Sequence, residues 1–71
     1  MPIVTIKITD EGVTTQQKNQ LIKGATELLE KVLNKNPAHT FVLIEEISTD
    51  NWGVSGESVS VRRERQKKII I

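Results

Sequence analysis

The chain carries one long amphipathic helix pattern between two short strand patterns. Apolar residues recur at three- and four-residue spacing along residues 21–33, as in a helix that buries one face. That stripe contains Leu21, Ile22, Ala25, Leu28, Leu29, Val32 and Leu33. Residues 3–8 alternate in polarity, which is typical of a half-buried strand, and residues 40–44 form a run typical of a strand covered on both faces. This order predicts a β-α-β unit.

Local signals predict where the helix begins and ends. Thr14 with Gln17 three positions later forms a capping-box sequence, so we expect the helix to start near Thr15. Asn34 tolerates the left-handed cap conformation, and Pro37 cannot continue a helix. A β-α-β crossover is right-handed and makes its two strands parallel. We therefore expect the helix to cover one face of the sheet, leaving the other face and both edges bare.

The chain is too short to be stable on its own core. A chain of 71 residues buries only about 60% of its unfolded surface, and this one has one Trp, one Phe and no Tyr. It has no Cys for disulfides and a single His, so no zinc site can form within one subunit. Self-association remains as the stabilising device. We predict an α/β (α+β) fold: a single β-α-β unit with parallel strands and a short C-terminal hairpin or strand, assembled into an oligomer.

The last third of the chain gives weaker signals. Residues 48–57 contain two Gly, Asp and Asn and predict a turn-rich loop, and the alternating residues 58–61 predict a short strand or hairpin arm. Residues 64–68 are fully polar, and we expect the end of the chain to be frayed unless a neighbouring subunit binds it. The predicted organisation is a domain over residues 1–63 and a basic, Ile-ended tail over residues 64–71.

The charge is unevenly distributed. The net charge is +1, but residues 58–71 hold five of the ten Lys and Arg and only one of the nine Asp and Glu. This cluster has no interleaved aromatic residues, so a solvated tail is favoured over a nucleic-acid site. No apolar stretch has transmembrane length and no signal-peptide pattern begins the chain, so we expect a cytoplasmic protein without membrane contact. No metal-ligand motif is present in the sequence.

Pro2 is the one residue with an evident chemical use. If Met1 is removed, the ring nitrogen of Pro2 becomes a free secondary amine. An α-amino group has a pKa near ~8 in water, and apolar walls lower the pKa by disfavouring the cation, so the amine could serve as a general base at neutral pH. The alternative is that Pro2 simply begins a strand at a tolerated position.

Three features together resemble the 4-oxalocrotonate tautomerase family over residues 1 to about 63. They are the Met-Pro-Ile start, Gln17-Lys18 early in the helix, and Trp52-Gly53-Val54-x-Gly56-Glu57 after the second strand. The resemblance implies an isomerase that needs no cofactor, with the amino-terminal proline as general base for keto-enol proton transfer on a small-molecule substrate. It also implies a homohexamer built as a trimer of dimers. Trp52 matches the family's pocket aromatic, although it could instead anchor its loop at a subunit contact.

The sequence departs from the family at two positions. The family grips its substrate with two arginines, and the matching positions here are Val13 and Phe41. No Lys or Arg lies between residues 7 and 18 or between residues 35 and 62. Since a charge-assisted hydrogen bond contributes about 1.5 to 3 kcal/mol, the loss makes a dicarboxylate substrate doubtful.

Three interpretations stay open. An apolar pocket could let Pro2 act on a more neutral or aromatic enol or a 2-oxo acid; its walls would be Val13, Phe41 and Trp52. Arg62 or Arg63 of a neighbouring subunit could instead replace the lost cations, unless these arginines pair with Glu57, Glu64 or solvent. The third interpretation is a non-catalytic oligomeric binding or scaffold protein of the same fold.

Two further titratable residues are candidates of lower rank. His39 lies just before the second strand and is the only residue that could be cationic on that side, so it is counted among the substrate-binding candidates, although a surface histidine is the default. Lys7 lies on the less apolar face of the first strand, where a solvated or interface lysine is much more common than a site residue.

Overall fold

The computed structural model describes residues 1–69. The strands are β1 (Ile3–Thr9), β2 (Phe41–Ile47), β3 (Gly53–Val54) and β4 (Glu57–Ser58), and the helices are α1 (Thr15–Leu33) and α2 (Val59–Ile69). Short 3-10 turns occupy Pro37–His39 and Thr49–Asn51. The β1-α1-β2 order confirms the predicted unit.

β1 and β2 form a parallel two-stranded sheet, as predicted. The register runs from Ile3 opposite Phe41 to Thr9 opposite Ile47. α1 packs mainly against β2. Exposure alternates along both strands, so every second residue is half-buried and those between face outward. Within one protomer, therefore, the continuous apolar run of β2 is covered on one face rather than on both.

The predicted ends of α1 are confirmed. The Thr14 hydroxyl accepts a hydrogen bond from the Gln17 backbone at 3.1 Å, and the Gln17 side chain accepts one from the Thr14 backbone at 2.9 Å. At the other end, Asn34 adopts a left-handed conformation with φ 55° and donates its N–H to the Glu30 carbonyl at 2.9 Å. The reciprocal cap satisfies backbone donors that an exposed helix start leaves unpaired.

The C-terminal hairpin exists but lies earlier than predicted. β3 and β4 pair antiparallel, with Gly53 opposite Ser58 and Val54 opposite Glu57. The two residues between the strands, Ser55 and Gly56, have φ 54° and 86°, as a tight two-residue hairpin turn requires. The prediction of a loop through residue 57 followed by a strand over 58–61 is therefore wrong, because the Ser-Gly turn was not recognised as a hairpin signal.

The predicted frayed end is also wrong within the described residues. α2 continues through Ile69, formed largely by Arg, Gln, Glu and Lys, all of which have high helix propensity. Arg65 reaches back to the carboxylate of Glu57 with nitrogen–oxygen distances of 2.5 and 3.1 Å. The predicted boundary between domain and tail, after residue 63, falls inside α2 and stays a prediction. Residues 70–71 of the Ile-rich end lie outside the described residues.

A single protomer has no fully buried core in the part that the structure describes. Ile3, Phe41 and Leu43 on the open face of the sheet are 61%, 49% and 54% exposed. The radius of gyration is 16.5 Å, whereas a compact domain of this length has about 11 Å. Much of the apolar surface that could stabilise the fold is therefore uncovered in one copy of the chain.

The α1 cap gives a stability prediction. Thr14→Ala removes the side-chain acceptor for the Gln17 N–H, so we expect the free energy of unfolding to fall by about 1 kcal/mol. Urea denaturation followed by circular dichroism measures the change. Thr15→Ala, one residue inside the helix, is the matched control and should have a smaller effect; equal effects of the two substitutions would contradict the capping role.

Candidate active site

Pro2 lies at the amino-terminal end of the sheet. It is half-buried, and its carbonyl accepts a hydrogen bond from the Phe41 N–H at 3.0 Å. Because the strands are parallel, the residues that precede both strands meet at this end. His39 is exposed in the turn before β2, where its N–H donates to the Asn36 carbonyl at 3.0 Å. The structure thus brings Pro2 and Phe41 together and leaves His39 at the same end of the sheet.

Val13 and Trp52 lie at the opposite end of the sheet. Both follow the carboxyl ends of the strands, which are tied together by the Asp10 N–H donating to the Ile47 carbonyl at 2.8 Å. A seven-residue strand such as β1 is about 20 Å long, so one protomer does not bring Val13 and Trp52 to Pro2. The predicted apolar pocket of Val13, Phe41 and Trp52 is therefore not assembled within one chain.

Val13 lines a groove between the end of β1 and the start of α1. This groove has a volume of about 530 Å³ and is lined by Ile8, Thr9, Glu11, Val13, Gln17, Gln20 and Leu21. No Lys or Arg is among these lining residues. The Glu11 carboxylate accepts hydrogen bonds from the Thr9 hydroxyl and from the Arg63 guanidinium. The lining of the groove thus combines apolar side chains with amide, hydroxyl and carboxylate groups. Val13 supplies no cation where the family has an arginine.

Trp52 lines a second, smaller cavity. Its volume is about 280 Å³, and its lining residues are Lys7, Ile47, Asn51, Trp52 and Gly53. Trp52 is half-buried, and its carbonyl accepts from the Val59 N–H at 2.8 Å, which fixes the start of α2 beside it. Lys7 enters this cavity from the open face of β1.

The sequence analysis gave Lys7 a low rank as a candidate. Its Nζ lies 3.9 Å from Oε2 of Glu45, the residue opposite it on β2. The available signal was the strand register: parallel pairing places the last open-face residues of β1 and β2 beside the segment that carries Trp52. Without the register, Lys7 could not be distinguished from an ordinary surface lysine.

Two of the three arginines of α2 have partners within the same chain. Arg63 pairs with Glu11, not with Glu57 or Glu64, while Arg65 pairs with Glu57. Arg62 is half-buried. The Glu11–Arg63 contact brings a guanidinium to the rim of the Val13 groove, although Arg63 does not line it. A substrate-binding role for Arg62 and Arg63 stays a prediction.

The described residues were compared with the requirements of a metal site and of a membrane-spanning helix. Residues 1–69 contain no group of three or more His, Cys, Asp or Glu that could hold a metal ion. Neither helix in this range is both long enough and apolar enough to cross a membrane.

The β-α-β unit followed by Trp52 and a small hairpin is the arrangement that the resemblance to the tautomerase family implies. The family model described as "Tautomerase enzyme" matches residues 2–62. The chain belongs to this tautomerase family and is an enzyme of the isomerase class. The assignment favours catalysis over the scaffold interpretation.

Individual relatives agree with the assignment. "Probable tautomerase K2" of Dickeya dadantii is 58% identical over 65 residues, covering 92% of this chain and 97% of the relative. The 2-hydroxymuconate tautomerase of Bacillus subtilis is 35% identical over 60 residues, covering 84% and 95%. The crystal structure of DmpI from Helicobacter pylori superposes with a TM-score of 0.83 at 46% identity, covering 89% of this chain and 97% of that one.

The Glu11–Arg63 pair gives a second prediction. Both side chains are substantially exposed, at 37% and 51%, so water screens the pair, and we expect a coupling free energy of about 0 to 1 kcal/mol. A double-mutant cycle of Glu11→Gln and Arg63→Gln, measured by urea denaturation, gives this value. A coupling well above about 2 kcal/mol would contradict the assignment of a screened surface pair.

Proposed function

We propose that this protein is a tautomerase whose amino-terminal Pro2, freed by removal of Met1, is the general base for keto-enol proton transfer on a small enol or 2-oxo acid. The observation that carries the proposal is the position of Pro2. It is half-buried at the end of the sheet, and its carbonyl is held by the Phe41 N–H at 3.0 Å. A base on a rigid strand end keeps its nitrogen in a constant position relative to a bound substrate.

The reaction needs only one proton-accepting nitrogen. The lone pair of the Pro2 nitrogen takes the enol O–H proton, the C=C electrons become available at carbon as the C=O bond forms, and the pyrrolidinium returns the proton to that carbon. No atom or electron is gained or lost overall. Apolar side chains of a second subunit packed around the amine would lower its pKa towards neutrality and keep a large fraction of it unprotonated.

The complete site requires more than one subunit. Pro2 and Phe41 lie at one end of the protomer and Val13 and Trp52 at the other, so a second copy has to supply whichever pair the first lacks. The exposed Ile3, Phe41 and Leu43 give the open sheet face the apolar surface that such a contact buries. We propose a homohexamer arranged as a trimer of dimers, in agreement with the family resemblance.

The charge of the site favours a substrate with at most one carboxylate. Neither arginine of the family pattern is present, and the Val13 groove has no Lys or Arg lining it. The 2-hydroxymuconate tautomerase of Bacillus subtilis is a relative at 35% identity, so a muconate-type substrate is the alternative to test. His39, Arg62 and Arg63 remain proposed substrate-binding residues for either class.

The role of Pro2 predicts a large loss of activity on Pro2→Ala. We expect turnover of phenylenolpyruvate to fall about 100-fold or more, the usual contribution of a positioned general base. Pro37→Ala, at the chain's other proline, is the matched control and should keep its activity. Intact mass of native material should show loss of one methionine. Full retention of Met1, or equal rates of Pro2→Ala and the unsubstituted protein, would contradict the proposal.

The proposed assembly predicts the effect of a charge on the open face. Leu43→Asp places a carboxylate where a second subunit would pack, so we expect the oligomer to dissociate and the activity to fall with it. Analytical ultracentrifugation measures the mass. Leu33→Asp, at the exposed end of α1, is a comparison at an apolar side chain of similar exposure. If Leu43→Asp keeps the mass of the unsubstituted protein, the open sheet face is not the contact.

A further inference from the structure

We infer that Lys7 is the cation that binds the substrate carboxylate, and that the substrate is a small acid with one carboxylate next to an apolar group. This inference rests on the proposed tautomerase reaction, in which a second copy of the chain brings its Pro2 to the cavity of Lys7 and Trp52, and it names the residue that takes over the task of the absent arginines. It follows from the cavity in which Lys7 and Trp52 lie together.

The placement of Lys7 is set by the sheet. It is the fifth residue of β1 and points to the open face, opposite Glu45. Among the residues that line the Val13 groove and the Trp52 cavity, Lys7 is the only Lys or Arg. An anion that enters either of these two sites therefore meets a cationic lining residue only beside Trp52.

The ammonium of Lys7 is only loosely engaged. The distance of 3.9 Å to the Glu45 carboxylate is longer than the 2.7–3.2 Å of an ordinary N–H···O hydrogen bond. An ammonium has three donors, and in the single protomer both side chains are close to 60% exposed, at 59% and 58%. A substrate carboxylate can thus bind Lys7 without breaking a strong ion pair. Glu45 remains the competing anion, and its removal should strengthen substrate binding.

The rest of the cavity selects the body of the substrate. Trp52 and Ile47 offer apolar surface, and the Asn51 amide offers one polar group. A volume of about 280 Å³ is at the lower end of what small-molecule sites have. One cation beside an aromatic wall matches a monoanionic, partly apolar acid better than a dicarboxylate, because a second carboxylate would find no further cationic partner in this cavity.

Trp52 provides a binding signal that does not depend on catalysis, since it is the only tryptophan of the chain. The probes are cyclohexanecarboxylate and its neutral analogue cyclohexanecarboxamide, which share one apolar body. Titration of Trp52 fluorescence should show that Lys7→Met weakens carboxylate binding about 10-fold or more, the loss of one charge-assisted contact, and leaves amide binding unchanged. Lys23→Met, at an exposed lysine of α1, is the control and should bind both probes normally.

Two conservative variants make the test specific to charge. Lys7→Arg should restore carboxylate binding to within a few-fold, and Glu45→Gln should tighten it, but only while Lys7 is present. In the double variant Lys7→Met/Glu45→Gln, the effect of Glu45→Gln should vanish. If the oligomer mass of Lys7→Met differs from that of the unsubstituted protein, Lys7→Arg and Glu45→Gln decide the question instead. An unchanged carboxylate affinity of Glu45→Gln then overturns the inference.

The outcomes separate this inference from the proposed function. Pro2→Ala should lose turnover and still bind the carboxylate, with Lys7 intact. If Pro2→Ala keeps its turnover, the proposed base is wrong while the binding result still stands. Equal carboxylate affinity of Lys7→Met and the unsubstituted protein, or no carboxylate binding by the unsubstituted protein, overturns the role of Lys7 whatever the activity of Pro2→Ala.

Discussion

The parallel pairing of β1 and β2 determines where Pro2, Phe41 and Lys7 lie relative to one another. It sets Pro2 beside Phe41 at one end of the sheet and brings Lys7 opposite Glu45 near the other. Because side chains alternate between faces, a shift of one residue would exchange the covered and open faces and move Lys7 away from Trp52. The chemistry of the site therefore depends on a backbone hydrogen-bond ladder rather than on any single side-chain contact.

That ladder holds together a protomer of only two layers, one helix and one two-stranded sheet. One helix covers one face of two strands, and the protomer has no fully buried side chain among the residues described. The same apolar surface that a second subunit would cover also borders the site, through Phe41 and the open face. In the proposed assembly, stability and a dry environment for the Pro2 nitrogen would therefore depend on the same subunit contacts.

The sequence was sufficient to predict the elements with strong local signals. The β1-α1-β2 order, the Thr14 cap and the Asn34 stop follow from periodicity and from side chains that bond to their own helix end. The hairpin was misplaced because Ser55 adopts the left-handed conformation without being Gly or Asn, and α2 was missed because a polar helix has no apolar period. Lys7 ranked low as a candidate because the role we propose for it depends on strand register and a distant loop, which local sequence patterns do not encode.

The position of the cation also bears on how specificity can change within one fold. At the start of α1, Val13 leaves the groove without a cation, whereas Lys7 is on the strand and lies on the opposite face of the sheet. If Lys7 holds the carboxylate as we propose, the charge has moved from a helix start to a strand, while the proline, the aromatic residue and the hairpin keep their places. A substrate whose carboxylate is bound by Lys7 would then have a different orientation relative to Pro2 than one whose carboxylate is bound at the Val13 position. Substrate choice can then differ between related chains with little change to the backbone.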